Sequence, residues 1–261
     1  MTQRYFSGLW VLLLTISLSI FAVGCDSDDG GGDGGGNNGG TPSNQTGQPL
    51  PDLGVTDYGG MMATISYSMN VGGFPVAMTM AYATFGDGGV DAGDVSVNSN
   101  MLGKMTQDGY TYYMIPDPQN PLQQLTGVNF DGSDHSWTVS GGSGVPSFSG
   151  SVSSPSAFNV TQPVANATVN KSAGLQIAWT NTSNDNNVMI TLLDMDGDAQ
   201  YFSPVNLADD GSHTISAGDM SDISGEAMLQ VVKYRYNVVD QGGKSYPIIA
   251  EIVTSVTVTV Q

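Results

Sequence analysis

Cysteine occurs once, at Cys25, so a disulfide within the chain is excluded. Glutamate occurs twice, at Glu226 and Glu251, and histidine twice, at His135 and His213. Basic residues number 6 against 24 acidic ones, a formal charge of −18. These shortages narrow the function classes. A strongly negative body repels phosphate backbones, which excludes nucleic acid as a partner, and it lacks the basic patch that would grip anionic lipid headgroups. Few residues suit general acid–base work. A G-x-S-x-G nucleophile elbow is missing too, since Gly141-Gly142-Ser143-Gly144-Val145 breaks the pattern at its last position. The expectation is a non-enzymatic chain that needs no cofactor. What is abundant is Gly, Ser, Thr, Val, Asn and Asp, the vocabulary of strands and tight turns rather than of helices.

The amino terminus carries one charge, Arg4, followed by the uncharged run GLWVLLLTISLSIFAVG. A basic start, an apolar core of this length and small residues at its end predict a secretory signal peptide. The run closes on Ala22-Val23-Gly24-Cys25. This resembles the lipobox of bacterial lipoprotein precursors, although those more often have Leu where Ala22 stands. The resemblance implies cleavage between Gly24 and Cys25, diacylglycerol on the Cys25 sulfur and acylation of its new amino group. Each buried methylene contributes about 0.8 kcal/mol, so several acyl chains hold stably where one holds only reversibly. Asp26 next to the cysteine resembles an inner-membrane retention signal of enteric bacteria, whereas acidic runs at this place resemble surface-export signals in other phyla. The expected location is the bacterial envelope, lipid-anchored, with the outer membrane favoured over the inner.

Residues 25–56 follow as a tether. DSDDGGGDGGGNNGGTPSNQTGQP holds no apolar group able to nucleate a core, which predicts disorder. A Gly-rich coil of ~30 residues spans roughly 30 Å on average and about 100 Å when stretched.

From Ala63 the pattern changes. Ala63, Ile65, Tyr67, Met69 and Val71 alternate with Thr64, Ser66, Ser68 and Asn70, the period of a half-buried strand. After Gly72-Gly73, alternation resumes at Val76, Met78, Met80 and Tyr82. A two-residue loop would pair Met69 with Val76, Tyr67 with Met78 and Ile65 with Met80. A four-residue loop would pair Met69 with Met78 instead. Further strands are expected near Asp94, from Gly109, around Trp137 and from Ser147, separated by FGDGGVDAGD and PDPQNP. Eight of the thirteen methionines lie between Met61 and Met114. Thioethers suit copper(I), but both histidines lie far along the chain, and packing against tyrosines is the favoured role.

The second half, 159–261, places Leu175, Ile177 and Trp179 on one strand face. This resembles the early strands of immunoglobulin-like and fibronectin type III domains, where a tryptophan packs across two sheets. Later strands are expected in NVMITLLDM, GSHTIS, EAMLQVVKYRYNVV and SYPIIAEIVTSVTVTV. In the last, Ile248, Ala250, Ile252, Thr254, Val256, Val258 and Val260 alternate to the end, whereas a parity change after Val231 predicts a bulge. Asp194, Asp196 and Asp198 have the look of a calcium loop, but the EF-hand glycine and glutamate positions are unfilled, so Leu193 to Gln200 reads better as a hairpin turn.

The expected architecture is therefore all-β: two tandem β-sandwich domains (57–158 and 159–261) behind a signal peptide (1–24) and a disordered Gly/Asp-rich tether (25–56). Two function classes follow. One is a non-catalytic binding or adhesion module presenting its body to a neutral glycan or an envelope protein. Tyr110, Tyr112 and Tyr113 are its candidate contact residues, with alternation sending Tyr113 to the face opposite the other two. The alternative is a structural or assembly subunit of an envelope complex.

Overall fold

The computed structural model describes residues 53, 55, 57–71, 74–86, 89–117, 119–195, 199–204 and 206–261. The expected signal segment, the expected Gly24–Cys25 cleavage site and the expected tether as far as 52 lie outside the described residues. The chain is all-β, as its composition predicts. Among the described residues there are seventeen strands and a single short 3₁₀ turn, Lys171–Ala173. The first half contributes β1 (Gly60–Val71), β2 (Phe74–Phe85), β3 (Val95–Val97), β4 (Asn100–Met101), β5 (Gly103–Gln107), β6 (Tyr110–Ile115), β7 (Asp134–Val139) and β8 (Phe148–Ser153). The second contributes β9 (Val160–Gln162), β10 (Ala167–Val169), β11 (Leu175–Trp179), β12 (Asn187–Asp194), β13 (Gln200–Phe202), β14 (Leu207–Ala208), β15 (Ser212–Ile215), β16 (Gly225–Gln241) and β17 (Lys244–Val260).

Turn chemistry sets the local pairing. Asp108-Gly109 joins β5 to β6 and Gly242-Gly243 joins β16 to β17, each a two-residue loop with both residues at positive φ. That is the type I′ geometry whose twist matches flanking strands. The β1–β2 hairpin takes the two-residue register, with Met69 opposite Val76, Tyr67 opposite Met78 and Ile65 opposite Met80.

A ten-stranded sheet runs β13-β12-β16-β17-β1-β2-β6-β5 along its main path. Two small sheets pack on it, β4-β3-β7-β8 and β15-β11-β9. Under the first lies core 1, with Phe85, Val97, Tyr113, Ile115, Trp137 and Val139. Under the second lies core 2, with Ile177, Trp179, Ile190, Leu192, Leu229 and Val231. The passage between the cores along the chain falls between Val152 and Phe158, near the expected boundary.

The linkage between the halves is closer than two beads on a string. β1 pairs in parallel with β17, Met62 opposite Ile248 through Ser68 opposite Thr254, and residues 53–261 form a single compact unit. The alternating face of β17 serves both cores: Ile248 and Ala250 enter core 1, and Ile252, Val258 and Val260 enter core 2.

Two local expectations change. β16 pairs continuously with β12 and with β17, without a bulge at Val231. Its parity change reflects burial on both faces, since Leu229 and Val231 point into core 2 while Met228, Val232 and Tyr234 are buried on the far side. In the same way the large alternating set of β1, Ala63, Ile65 and Tyr67, lies on the far face, and Met62 and Thr64 face core 1. A strand in mid-sheet is covered on both sides, so its polar-looking parity is no guide to solvent.

Thr64 tolerates burial because it meets His135, itself fully buried on β7. The Thr64 hydroxyl donates to His135 Nδ1 at 2.6 Å, and His135 Nε2–H donates to the Asn129 carbonyl at 2.9 Å. A carbonyl only accepts, which assigns the neutral Nε2–H tautomer. Burial pushes the His135 imidazole below its ordinary value. A folded-state value below the unfolded one means that neutral His135 supports the fold fully above about pH 6.5, and the support is lost as pH falls toward the folded value. Denaturant midpoints should therefore fall on acidification through this window, less steeply in His135→Asn. Removal from water pushes the Glu251 carboxyl up to about 7 and acts with opposite sign, so the difference between the two proteins is the quantity to measure.

Candidate functional site

An open groove of about 420 Å³ is lined by residues from both halves of the chain. It is built where the edge strand β8 crosses β16 and the start of β12. β16 supplies Arg235, Tyr236 and Asn237; β12 and its lead-in supply Asn187 and Asp185; β7 supplies Asp134. Cross-links between layers set its shape. Asn237 Nδ2 donates to the Ser151 carbonyl at 3.0 Å, and Arg235 Nη1 donates to Ser153 Oγ at 3.3 Å. Gly150 lets β8 approach, because a Cβ there would come within 2.5 Å of Val239 Cγ2 and 2.6 Å of Ile248 Cδ1. Asp134, Asp185 and Asn237 are exposed on the rim, and Arg235 and Tyr236 are half-buried. The lining mixes carboxylates, carboxamides, hydroxyls and one guanidinium, which suits a ligand rich in hydroxyl groups; Tyr236 shares the parity of Tyr234, so its ring turns to the other face of β16.

Beside this groove lies a buried charged cluster. Lys233 Nζ and Asp209 Oδ1 are 3.0 Å apart with both side chains wholly shielded from solvent. Lys233 also donates to the carbonyls of Thr180 (2.9 Å) and Asn181 (3.0 Å) and stands 4.5 Å from the centre of the Phe158 ring. Asp209 accepts from Trp179 Nε1 at 2.6 Å, Asn186 Nδ2 at 2.7 Å and the Ser183 amide at 3.1 Å. Burial works to raise the Asp209 carboxyl, but the Asn186 and Trp179 hydrogen bonds and the Lys233 ammonium hold it below the usual value. Burial lowers Lys233 despite its partner.

The sequence-derived candidates fall in different places. Tyr113 belongs to core 1, 1 % exposed, with its hydroxyl donating to Asp91 and accepting from the Ala92 amide. It is therefore not a contact residue: β6 lies between core 1 and the far face, and Tyr113 takes the core side. Tyr110 and Tyr112 are half-buried on that far face, where Tyr82, Tyr112 and Tyr110 follow one another at ring separations of 6.2 and 6.4 Å. The strip, on β2 and β6, is separated from the groove's β16 by β17 and β1 in the sheet order. Asp196 and Asp198 lie outside the described residues; Asp194 ends β12, its amide donating to the Ala199 carbonyl, and Leu193 pairs with Gln200 as a hairpin requires. Met62 packs in core 1, while Met80 and Met114 are buried on the far face.

Sequence reasoning passed over the groove and the Lys233–Asp209 cluster. A lysine inside the apolar run VVKYRYNVV was the available signal, because buried lysines are rare without a paired acid. Compared with protein-family models and with curated proteins, the chain has no match.

Proposed function

We propose that this chain is an envelope lipoprotein, anchored through Cys25, whose body is a non-catalytic recognition module for a neutral polysaccharide. The observation that carries the ligand assignment is the groove lined by Asp134, Asp185, Asn187, Arg235, Tyr236 and Asn237. Carboxylates and carboxamides bond vicinal hydroxyls in pairs, and the Arg235 guanidinium adds a fork of donors to the same surface. The body's negative charge turns away polyanions. The lipobox-like leader and the tether support display of this face away from the membrane.

The test uses membranes carrying the full chain and a panel of neutral and acidic polysaccharides. Retention of a neutral glycan by the wild type is expected, with at least a tenfold loss in Asp134→Ala/Asp185→Ala at unchanged melting temperature, because both side chains are exposed on the rim. In the same cells, Cys25→Ala should leave the protein unprocessed or released from the membrane. Retention of envelope proteins but of no glycan would favour the assembly-subunit alternative.

A further inference from the structure

The buried cluster holds the three groups that amide transfer requires: an amine, a carboxamide and a carboxylate in contact with both. Asp209 receives Lys233 on Oδ1 at 3.0 Å and Asn186 Nδ2 on Oδ2 at 2.7 Å. Sheet register places the amine and the amide together. Val188 on β12 pairs with Lys233 on β16, so Asn186, two residues earlier, shares a face with Lys233 as its diagonal neighbour. The Asn186 carbonyl oxygen is itself engaged, accepting from Arg235 Nε at 2.6 Å, which draws electron density from its carbon. Trp179 and Phe158 wall the cluster, and Lys233, Asp209 and Asn186 are all buried. Water that could compete as nucleophile or hydrolyse a product is thereby kept out.

We propose that Lys233 and Asn186 become joined by an intramolecular amide bond, with Asp209 as general base. The Asp209 carboxylate takes a proton from the Lys233 ammonium, and the freed amine attacks Cγ of Asn186, forming the Nζ–Cγ bond. Charge developing on Oδ1 is met by the Arg235 guanidinium. The tetrahedral centre collapses with cleavage of Cγ–Nδ2. Asp209 returns its proton to the departing nitrogen, and a second proton from Nζ leaves with it. One ammonium ion is released and Asp209 is regenerated; no oxidant, metal or further reactant enters. The product staples β16 to the lead-in of β12, beside the proposed ligand groove, and its formation does not depend on what that groove binds.

The experiment is peptide mapping by mass spectrometry of the full chain isolated from membranes, denatured and digested. The expected result is a branched peptide linking Lys233 to Asn186, lighter by one ammonia than its two linear parts together. Its fragments should place the branch at those residues, and Asp209→Ala should yield the linear peptides. Recovery of wild-type Lys233 and Asn186 only in linear peptides would overturn the proposal. So would a branch at Asp209 with loss of water, which would make that carboxyl the electrophile rather than the base. A branched product from Asp209→Ala would likewise remove the carboxylate from its role. The wild-type digest is decisive whether or not the variant folds.

Discussion

Compared with wild-type chain in which Lys233 and Asn186 are still unlinked, Asp209→Ala should cost about 3–5 kcal/mol of folding free energy, the range for removing one member of a buried ion pair. The change strands the Lys233 ammonium in a site where its side chain has no solvent contact. It also orphans the Trp179 indole N–H and the Asn186 amide, both of which now donate to Asp209. A pH signature separates this from lost packing. Without its acid, buried Lys233 has a folded-state value depressed further below the unfolded ~10.4. The penalty is full at pH below that depressed value and is relieved as pH rises toward the unfolded one. The variant should therefore regain stability relative to wild type between neutral and alkaline pH, which denaturant titrations at several pH values would show. A deficit unchanged across this range would mean that the charge of Lys233 is compensated by the Thr180 and Asn181 carbonyls alone.

The second large effect concerns the coupling of the two cores. Ile115→Ala removes a fully buried side chain from core 1 and should cost about 2–5 kcal/mol. If the shared sheet transmits the loss, core 2 should melt with core 1. The tryptophans report this directly, since residues 53–261 hold Trp137 in core 1 and Trp179 in core 2. Single-tryptophan versions, Trp137→Phe and Trp179→Phe, should give coincident unfolding transitions, both lowered by Ile115→Ala. The physical ground is β17: its Ile248 and Ala250 cannot leave core 1 while Ile252 and Val258 stay in core 2 without breaking one continuous strand paired to β1 and β16. An unshifted Trp179 transition would show instead that the sheet yields between Ala250 and Ile252 and that the halves fold as separate domains.

The all-β class, the strand positions, the β1–β2 hairpin with its register narrowed to two, and the hairpin at Leu193–Gln200 were readable from the chain itself, because each depends on residues near one another in sequence. Alternation marks a strand, and a two-residue Gly-Gly or Asp-Gly loop sets which residues face each other. The proposed anchor at Cys25 rests on the same local logic, since it depends on sequence context rather than on a folded site. What lay beyond reach depends on partners far along the chain. The parallel pairing of β1 with β17 joins residues such as Thr64 and Ala250 and brings no turn signal with it. That pairing buries β1 on both faces and sends Ala63, Ile65 and Tyr67 away from the cores. Two-sided burial likewise made β16 read as bulged, since an apolar residue on either face erases the period-two contrast. The meeting of Lys233, Asp209 and Asn186, and the groove beside it, follows from how a loop, a lead-in and a strand converge around core 2. Local sequence determined which segments are strands and how neighbouring ones turn; tertiary packing decided which faces are dry, because burial is a property of what lies across the sheet.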